Sequence, residues 1–288
     1  MLRFPSHLMK ALLLLCLLCT SAFADTQEDI EYARAGDLSL KLDLHRPQAE
    51  NPPLIVYVHG GAWRAGTKSD VPIYDLLGQG FAIASVDYRL STQAQFPAQS
   101  HDIKAAIRFL RANAARLHIN TNQVAIAGSS AGGHLAALVG VTNGQKDLEG
   151  KLGDHLDQSS DIDCIISLYG ASNLQTILGQ STEDGLEVRV PALKLLLGGL
   201  PNQQPDLARL ASPVAHLDKK DPPLLLIHGG ADPQMPPQQS EELAKAYTAA
   251  GLTVTHIVLP TSLHGGSEFY DEKRTQIMAD FLKKHLTN

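Results

Sequence analysis

Residues 124–138 constrain this chain more than any other stretch. Val124-Ala125-Ile126-Ala127 is a short apolar run, Gly128-Ser129-Ser130-Ala131-Gly132 follows at once, and Gly133-His134-Leu135-Ala136-Ala137-Leu138 opens an Ala-rich helical pattern. A Gly-x-Ser-x-Gly pentapeptide alone is compatible with an ordinary glycine-rich turn. Between a buried strand and a helix it predicts a sharp strand-to-helix turn, in which Gly128 and Gly132 leave room for the Ser130 hydroxyl to stand above the sheet. The helix N-terminus would then stabilise negative charge beside it. Ser129 is the competing hydroxyl, and the spacing from both glycines selects Ser130.

A serine hydroxyl is a poor nucleophile until a base takes its proton, and the base needs an acid to fix its tautomer and balance its charge. The chain must therefore supply a carboxylate and a histidine. The apolar run Leu224-Leu225-Leu226-Ile227 is followed by His228-Gly229-Gly230-Ala231-Asp232, which puts Asp232 in a loop beyond the carboxyl end of a strand, where sites on open α/β sheets gather. After the β-rich run Thr253 to Leu259 comes Leu263-His264-Gly265-Gly266. Ser130, Asp232 and His264 then stand in the chain order expected of a strand-turn-helix nucleophile. His256 inside the last strand, and Glu268 or Asp221 in place of Asp232, are the alternatives. His228, just before the acid, reads as a structural donor.

The first His-Gly-Gly lies in Val56-Tyr57-Val58-His59-Gly60-Gly61-Ala62-Trp63, a strand running into a glycine turn. The backbone amides of Gly60, Gly61 and Ala131 are the expected oxyanion donors, aimed at the oxygen that gains charge when Ser130 attacks a carbonyl. His59 reads as a loop brace, and Trp63 as either a candidate wall of the substrate cleft or an aromatic lid over the core.

The rest of the chain supplies a scaffold for these loops. Leu38, Leu40, Leu42 and Leu44 alternate with polar residues, as in a half-buried strand near a sheet edge. Leu54 to Val58, Phe81 to Val86, Val124 to Ala127, Cys164 to Leu168 and Leu224 to Ile227 are continuous apolar runs, the pattern of parallel strands covered on both faces. Ile103, Ala106, Ile107, Leu110, Ala114 and Leu117 recur at helical spacing, as do Leu243, Ala246, Tyr247 and Ala250 before Gly251, and Ile277, Met278, Phe281 and Leu282 near the end. The expectation is an α/β fold with a mostly parallel central sheet flanked by helices and an antiparallel start. Residues 172–217 hold no clear strand and read as a short cap-like insertion between the sixth and seventh main strands.

Residues 1–24 read as a signal peptide: Arg3 and Lys10 are basic, Ala11 to Leu18 is apolar, and Ala22-Phe23-Ala24 is a small-residue cleavage site. The apolar stretch is shorter than the roughly 20 residues that span a bilayer, so stable membrane insertion is not expected. A lipid anchor at Cys16 or Cys19 is disfavoured by the leucine before each. The expected location is secreted or periplasmic, with residues 25–288 forming one catalytic domain. Of three cysteines only Cys164 follows the leader, so no internal disulfide can form, and its apolar neighbours make it a buried thiol. The formal charge of −6 and the lack of a basic stripe argue against nucleic acid. The twelve histidines show neither His-x-x-x-His spacing nor a companion Cys pair, so no metal or cofactor is expected.

Several segments together resemble the α/β-hydrolase superfamily. These are His59-Gly60-Gly61-Ala62-Trp63, Ser85-Val86-Asp87-Tyr88-Arg89-Leu90, Phe96-Pro97-Ala98 with Asp102, Gly128 to Gly133, and His228 to Asp232. Within the superfamily they are similar to the carboxylesterases with an HGG oxyanion loop, which include hormone-sensitive-lipase-like and acetylxylan/feruloyl esterase-like proteins. The resemblance implies an α/β-hydrolase fold, hydrolysis of a short-chain acyl or polysaccharide-linked ester through a Ser-His-Asp triad, and structural roles for Asp87 and Arg89. The chain departs from the pattern at Met235-Pro236, where Val-Pro is usual, and at the extra glycine of Gly265-Gly266. A serine peptidase, an arylformamidase and a non-catalytic binding protein are the competing readings. The absence of a large additional domain speaks against the first, export against the second, and the presence of all three candidate residues against the third.

Overall fold

The computed structural model describes residues 25–286. The leader read at residues 1–24 lies outside them. Eight strands form one sheet: β1 (Asp25–Ala35), β2 (Leu38–Arg46), β3 (Pro53–Val58), β4 (Ala82–Val86), β5 (Asn120–Ser129), β6 (Cys164–Leu168), β7 (Leu224–Gly229) and β8 (Val254–Leu259). Their order is β1-β2-β4-β3-β5-β6-β7-β8. The pairs β1/β2 and β2/β4 are antiparallel, and every later pair is parallel. This is the mostly parallel sheet expected, with one correction at its start. The strand beginning at Leu38 is second from the edge, and the edge itself is β1.

The apolar runs of the central strands reflect coverage on both faces. Leu54, Val56 and Val58 of β3 pack with the helices Ala98–Ala112 and Ala131–Gly140, whereas Ile55 and Tyr57 face a second core that includes Met278 and Leu282 of the helix Glu272–Leu286. Alternation along a pleated strand thus serves two hydrophobic layers, and no residue needs to be polar. Cys164 lies in the second layer, and burial pushes its thiol far above the usual range.

The register sets the place of the site. Val58 pairs with Gly128, Ser129 with Leu168, and Gly229 with Leu259, so β3, β5, β6, β7 and β8 end at one edge of the sheet. The loops that carry Gly61, Ser130, Tyr169, Asp232 and His264 all leave from that edge. The segment between β6 and β7 holds the helix Glu183–Leu197 and shorter turns of helix at Ile177–Gln180 and Pro205–Leu210.

Candidate active site

Ser130 sits at φ 54°, ψ −118°, between β5 and the helix Ala131–Gly140. The glycines around it are forced by close backbone packing. A Cβ on Gly128 would lie 2.3 Å from Gly132 O, and one on Gly132 would lie 2.0 Å from Val58 O. Ser130 N donates to Leu168 O at 2.9 Å, which ties the turn to the neighbouring strand. Backbone strain of this kind persists only where the surroundings hold it in place, and here they hold it on both sides.

From Ser130 a line of hydrogen bonds runs to a buried carboxylate. Ser130 Oγ is 2.8 Å from His264 Nε2, and His264 Nδ1 is 2.7 Å from Asp232 Oδ2. The other oxygen, Oδ1, accepts the backbone amides of Gln234 and Met235, each at 2.8 Å. With Asp232 as a carboxylate, His264 Nδ1 carries the proton and Nε2 offers its lone pair to the serine hydroxyl. Burial pushes Asp232 upward, but hydrogen bonds from His228 and His264, the charge of His264 and the Met235 amide together hold it well below the usual carboxylate range. The group is an anion at any pH near neutrality.

The acid and base loops are joined to each other as well. Gly230 N donates to Leu259 O at 2.7 Å and Ala231 N to Ser262 O at 3.1 Å, and a Cβ on Gly229 would meet Leu263 O at 2.3 Å. The second His-Gly-Gly is thus the means by which the two loops approach. His228 is fully buried, with Nε2 3.0 Å from Met235 O and 3.4 Å from Asp232 Oδ2, in keeping with a structural donor.

The alternative candidates lie elsewhere: His256 Nε2 is 3.1 Å from Ser240 Oγ, and Asp221 accepts from Asp218 N at 2.8 Å. Among the described residues neither these nor Glu268 hydrogen-bonds His264.

A cleft of about 400 Å³ opens at this point, lined by Gly61, Ala62, Arg64, Ser130, Tyr169, Val188, Arg189, Gln234 and His264 among others. Gly61, Ala62 and Trp63 all have positive φ, which turns the chain sharply after β3. The amides of Gly60, Gly61, Ala62 and Ala131 have no protein acceptor among the described residues, and Ala131 opens the helix behind Ser130. Gly60 packs lower, where an added Cβ would lie 3.1 Å from Ser129 O. Gly61 and Ala62 line the cleft itself.

His59 braces the turn as expected. Its Nδ1 lies 2.8 Å from Gly60 O, its ring stacks on Tyr88 at 4.4 Å, and burial pushes the imidazole downward.

Trp63 follows its core reading and not its cleft-wall reading. Its side chain is fully buried, its indole N–H donates to His134 Nδ1 at 3.1 Å, and it does not reach the cleft. Positive φ at Trp63 itself carries the ring inward, where it packs as core. The aromatic wall is Tyr169 instead, set edge-on to the His264 ring at 5.0 Å and hydrogen-bonded through its hydroxyl to Tyr270. Arg64, Val188, Arg189 and Gln234 also line the cleft without having stood out in the sequence. A strand-end position directly after β6 was the available signal for Tyr169.

Asp87 accepts the Lys68 amide at 2.7 Å, and Arg89 grips Asp102 with Nη2 at 2.7 Å, so both belong to the scaffold.

Fold and site together define a member of the α/β-hydrolase superfamily. The family model of BD-FAE matches residues 42–247, and the chain belongs to that family. A solved structure described as a truncated form of carbohydrate esterase from gut microbiota is 33% identical, with a TM-score of 0.86, covering 93% of this chain and 99% of its own. An acetyl ester-xyloside bifunctional hydrolase from Caldicellulosiruptor lactoaceticus is 26% identical at a TM-score of 0.72, covering 86% of this chain and 89% of its own. Esterase LipC of Mycobacterium tuberculosis (strain ATCC 25618 / H37Rv) is 30% identical over 74% of this chain and 53% of its own length. The chain spans about half the length of the curated relatives it matches.

Proposed function

We propose that this protein is a secreted or periplasmic serine hydrolase that cleaves carboxylic esters, with short acyl groups or ester decorations of polysaccharides as substrates. The observation that carries the reading is the hydrogen-bonded line from Ser130 Oγ through His264 to Asp232, at 2.8 and 2.7 Å, opening into a cleft.

Ser130 Oγ attacks the ester carbonyl carbon and passes its proton to His264 Nε2, while Asp232 stabilises the imidazolium. The carbonyl oxygen becomes an oxyanion and takes hydrogen bonds from the free amides of Gly61 or Gly60 and of Ala131. One such donor contributes about 2.7 to 4 kcal/mol of transition-state stabilisation. Collapse of the tetrahedral intermediate breaks the bond to the alcohol oxygen, which leaves with the proton from His264, and Ser130 remains acylated. Water, deprotonated by His264, then adds to the acyl carbon, and the acid departs as Ser130 Oγ is reprotonated.

Carbohydrate ester substrates are supported by two structural relatives, one a carbohydrate esterase and the other an acetyl ester-xyloside hydrolase. Export is supported by the leader pattern of residues 1–24 alone.

The test is Ser130→Ala. Hydrolysis of short p-nitrophenyl esters and labelling by a fluorophosphonate probe should both disappear while the circular dichroism spectrum is retained. Unchanged turnover would sink the reading.

A further inference from the structure

Arg189 stands on the helix Glu183–Leu197, whose N-terminus is fixed to the acid loop: Thr182 Oγ1 donates to Pro233 O at 2.7 Å and caps Gly185 N at 3.0 Å. The side chain is 1% exposed, yet it lines the cleft beside Ser130 and His264. Its Nε donates to Gln234 O at 3.1 Å, and the guanidinium carbon is 5.9 Å from the Trp63 ring centroid. Nη1 is buried with no hydrogen-bond partner among the described residues.

The other two fully buried cations among the described residues, Lys104 and Arg108, both reach the carboxylate of Glu149. Arg189 has no such partner among the described residues. Asp232 attracts it and Arg64 repels it. Asp232 attracts it only from a distance and makes no ion pair with it, its Oδ1 accepting two amides and its Oδ2 lying against His264. Arg64 lines the same cleft and likewise makes no ion pair among the described residues. A buried guanidinium without a paired anion is costly, and a carboxylate delivered by a ligand offsets that cost through charge-assisted hydrogen bonds.

We propose that the preferred substrates are esters that also carry a free carboxylate, which docks on Arg189 next to Arg64 while the ester carbonyl lies at Ser130. In a saccharide substrate that group is the carboxylate of a uronic acid. The inference rests on the esterase reading above and narrows its substrate class.

The test uses the full chain and two pairs of esters, each with an anionic and a neutral member. The first pair, 4-acetoxybenzoate against 4-acetoxybenzamide, places the charge on the alcohol side. The second, 4-nitrophenyl hemiglutarate against 4-nitrophenyl pentanoate, places it on the acyl side. After correction for spontaneous hydrolysis, kcat/KM should favour the anionic member of at least one pair by about tenfold or more. Arg189→Met should bring that ratio near one, and Arg189→Lys should keep part of it.

If the variants fail to fold, the ratio in the unmodified protein decides. Turnover of the neutral esters with no anionic preference in either pair overturns the inference and leaves the esterase reading intact. No turnover of any of these esters overturns both.

Discussion

His228 reaches Asp232 from four residues back in the chain: its Nε2 lies 3.0 Å from Met235 O and 3.4 Å from Asp232 Oδ2. A carbonyl can only accept, so Nε2 carries the proton, and the same N–H adds a weaker pull on the carboxylate. The opposite nitrogen, Nδ1, is buried without a partner, which leaves His228 a donor on one side only. His228 is therefore a positioning residue that holds the acid loop. His228→Leu should lower kcat for p-nitrophenyl acetate about tenfold with KM little changed, and His228→Gln, which can restore a donor, should recover much of the loss. Equal losses in both variants would show that the donor does not matter.

The hydrogen bonds to Asp232 make a sharper prediction for its amide analogue. The amides of Gln234 and Met235 both point at Oδ1, so in Asp232→Asn that position must keep the carbonyl oxygen, and the new NH2 must face His264 Nδ1. A donor there forces the proton of His264 onto Nε2, where it faces Ser130 and cannot accept. Under the proposed mechanism kcat should fall by about 10⁴ with the fold intact, as the wrong tautomer does in such triads. Steady-state kinetics on a short p-nitrophenyl ester checks this, and a loss under tenfold would remove Asp232 from its role.

Much of this arrangement was legible in the sequence because the central strands are buried on both faces. Leu54 to Val58, Cys164 to Leu168 and Leu224 to Ile227 read as strands without periodicity, and each candidate reactive residue follows such a run or a β-rich one. β1 was missed for the opposite reason. It opens with Asp25-Thr26-Gln27-Glu28-Asp29, two register shifts break its alternation, and of its eleven residues only Tyr32 and Ala33 are buried.

Trp63 and Arg189 show a different limit. Trp63 reads equally as a cleft aromatic or as core in the sequence, and it is core, with its positive φ turning the ring inward. Arg189 carries no local signal of its own, since its burial beside Ser130 depends on how its helix docks against the acid loop.

Close backbone packing at the turn predicts a strong contrast between two glycines. A methyl group on Gly132 would lie 2.0 Å from Val58 O and 2.5 Å from His59 O, all backbone that cannot step aside, whereas one on Gly78 meets nothing within 4 Å. Gly132→Ala should cost about 3 kcal/mol or more and either melt far below the parent protein or fail to accumulate. Gly78→Ala should melt within a few degrees of it. Thermal melts of the two proteins side by side check the contrast, and similar melting temperatures would contradict the packing described.

Buried His134 links stability to pH. Burial pushes its imidazole down to about 4, against an ordinary value of 6.5, although the hydrogen bond to Ala211 O pulls it part of the way back. Its Nδ1 must stay unprotonated to accept the Trp63 indole N–H. Between those two values the unfolded chain takes up a proton that the native protein refuses, so more protons are bound on unfolding and stability falls with pH across that window. The loss begins as pH drops below about 6.5, reaches roughly 3 kcal/mol near pH 4, and grows no further below it. His134→Gln keeps an acceptor for Trp63 and a donor for Ala211 but cannot titrate. Urea unfolding from pH 7.5 to 4.5 should therefore give a flatter stability profile for the variant than for the parent. Parallel profiles would place the acid sensitivity of the fold elsewhere.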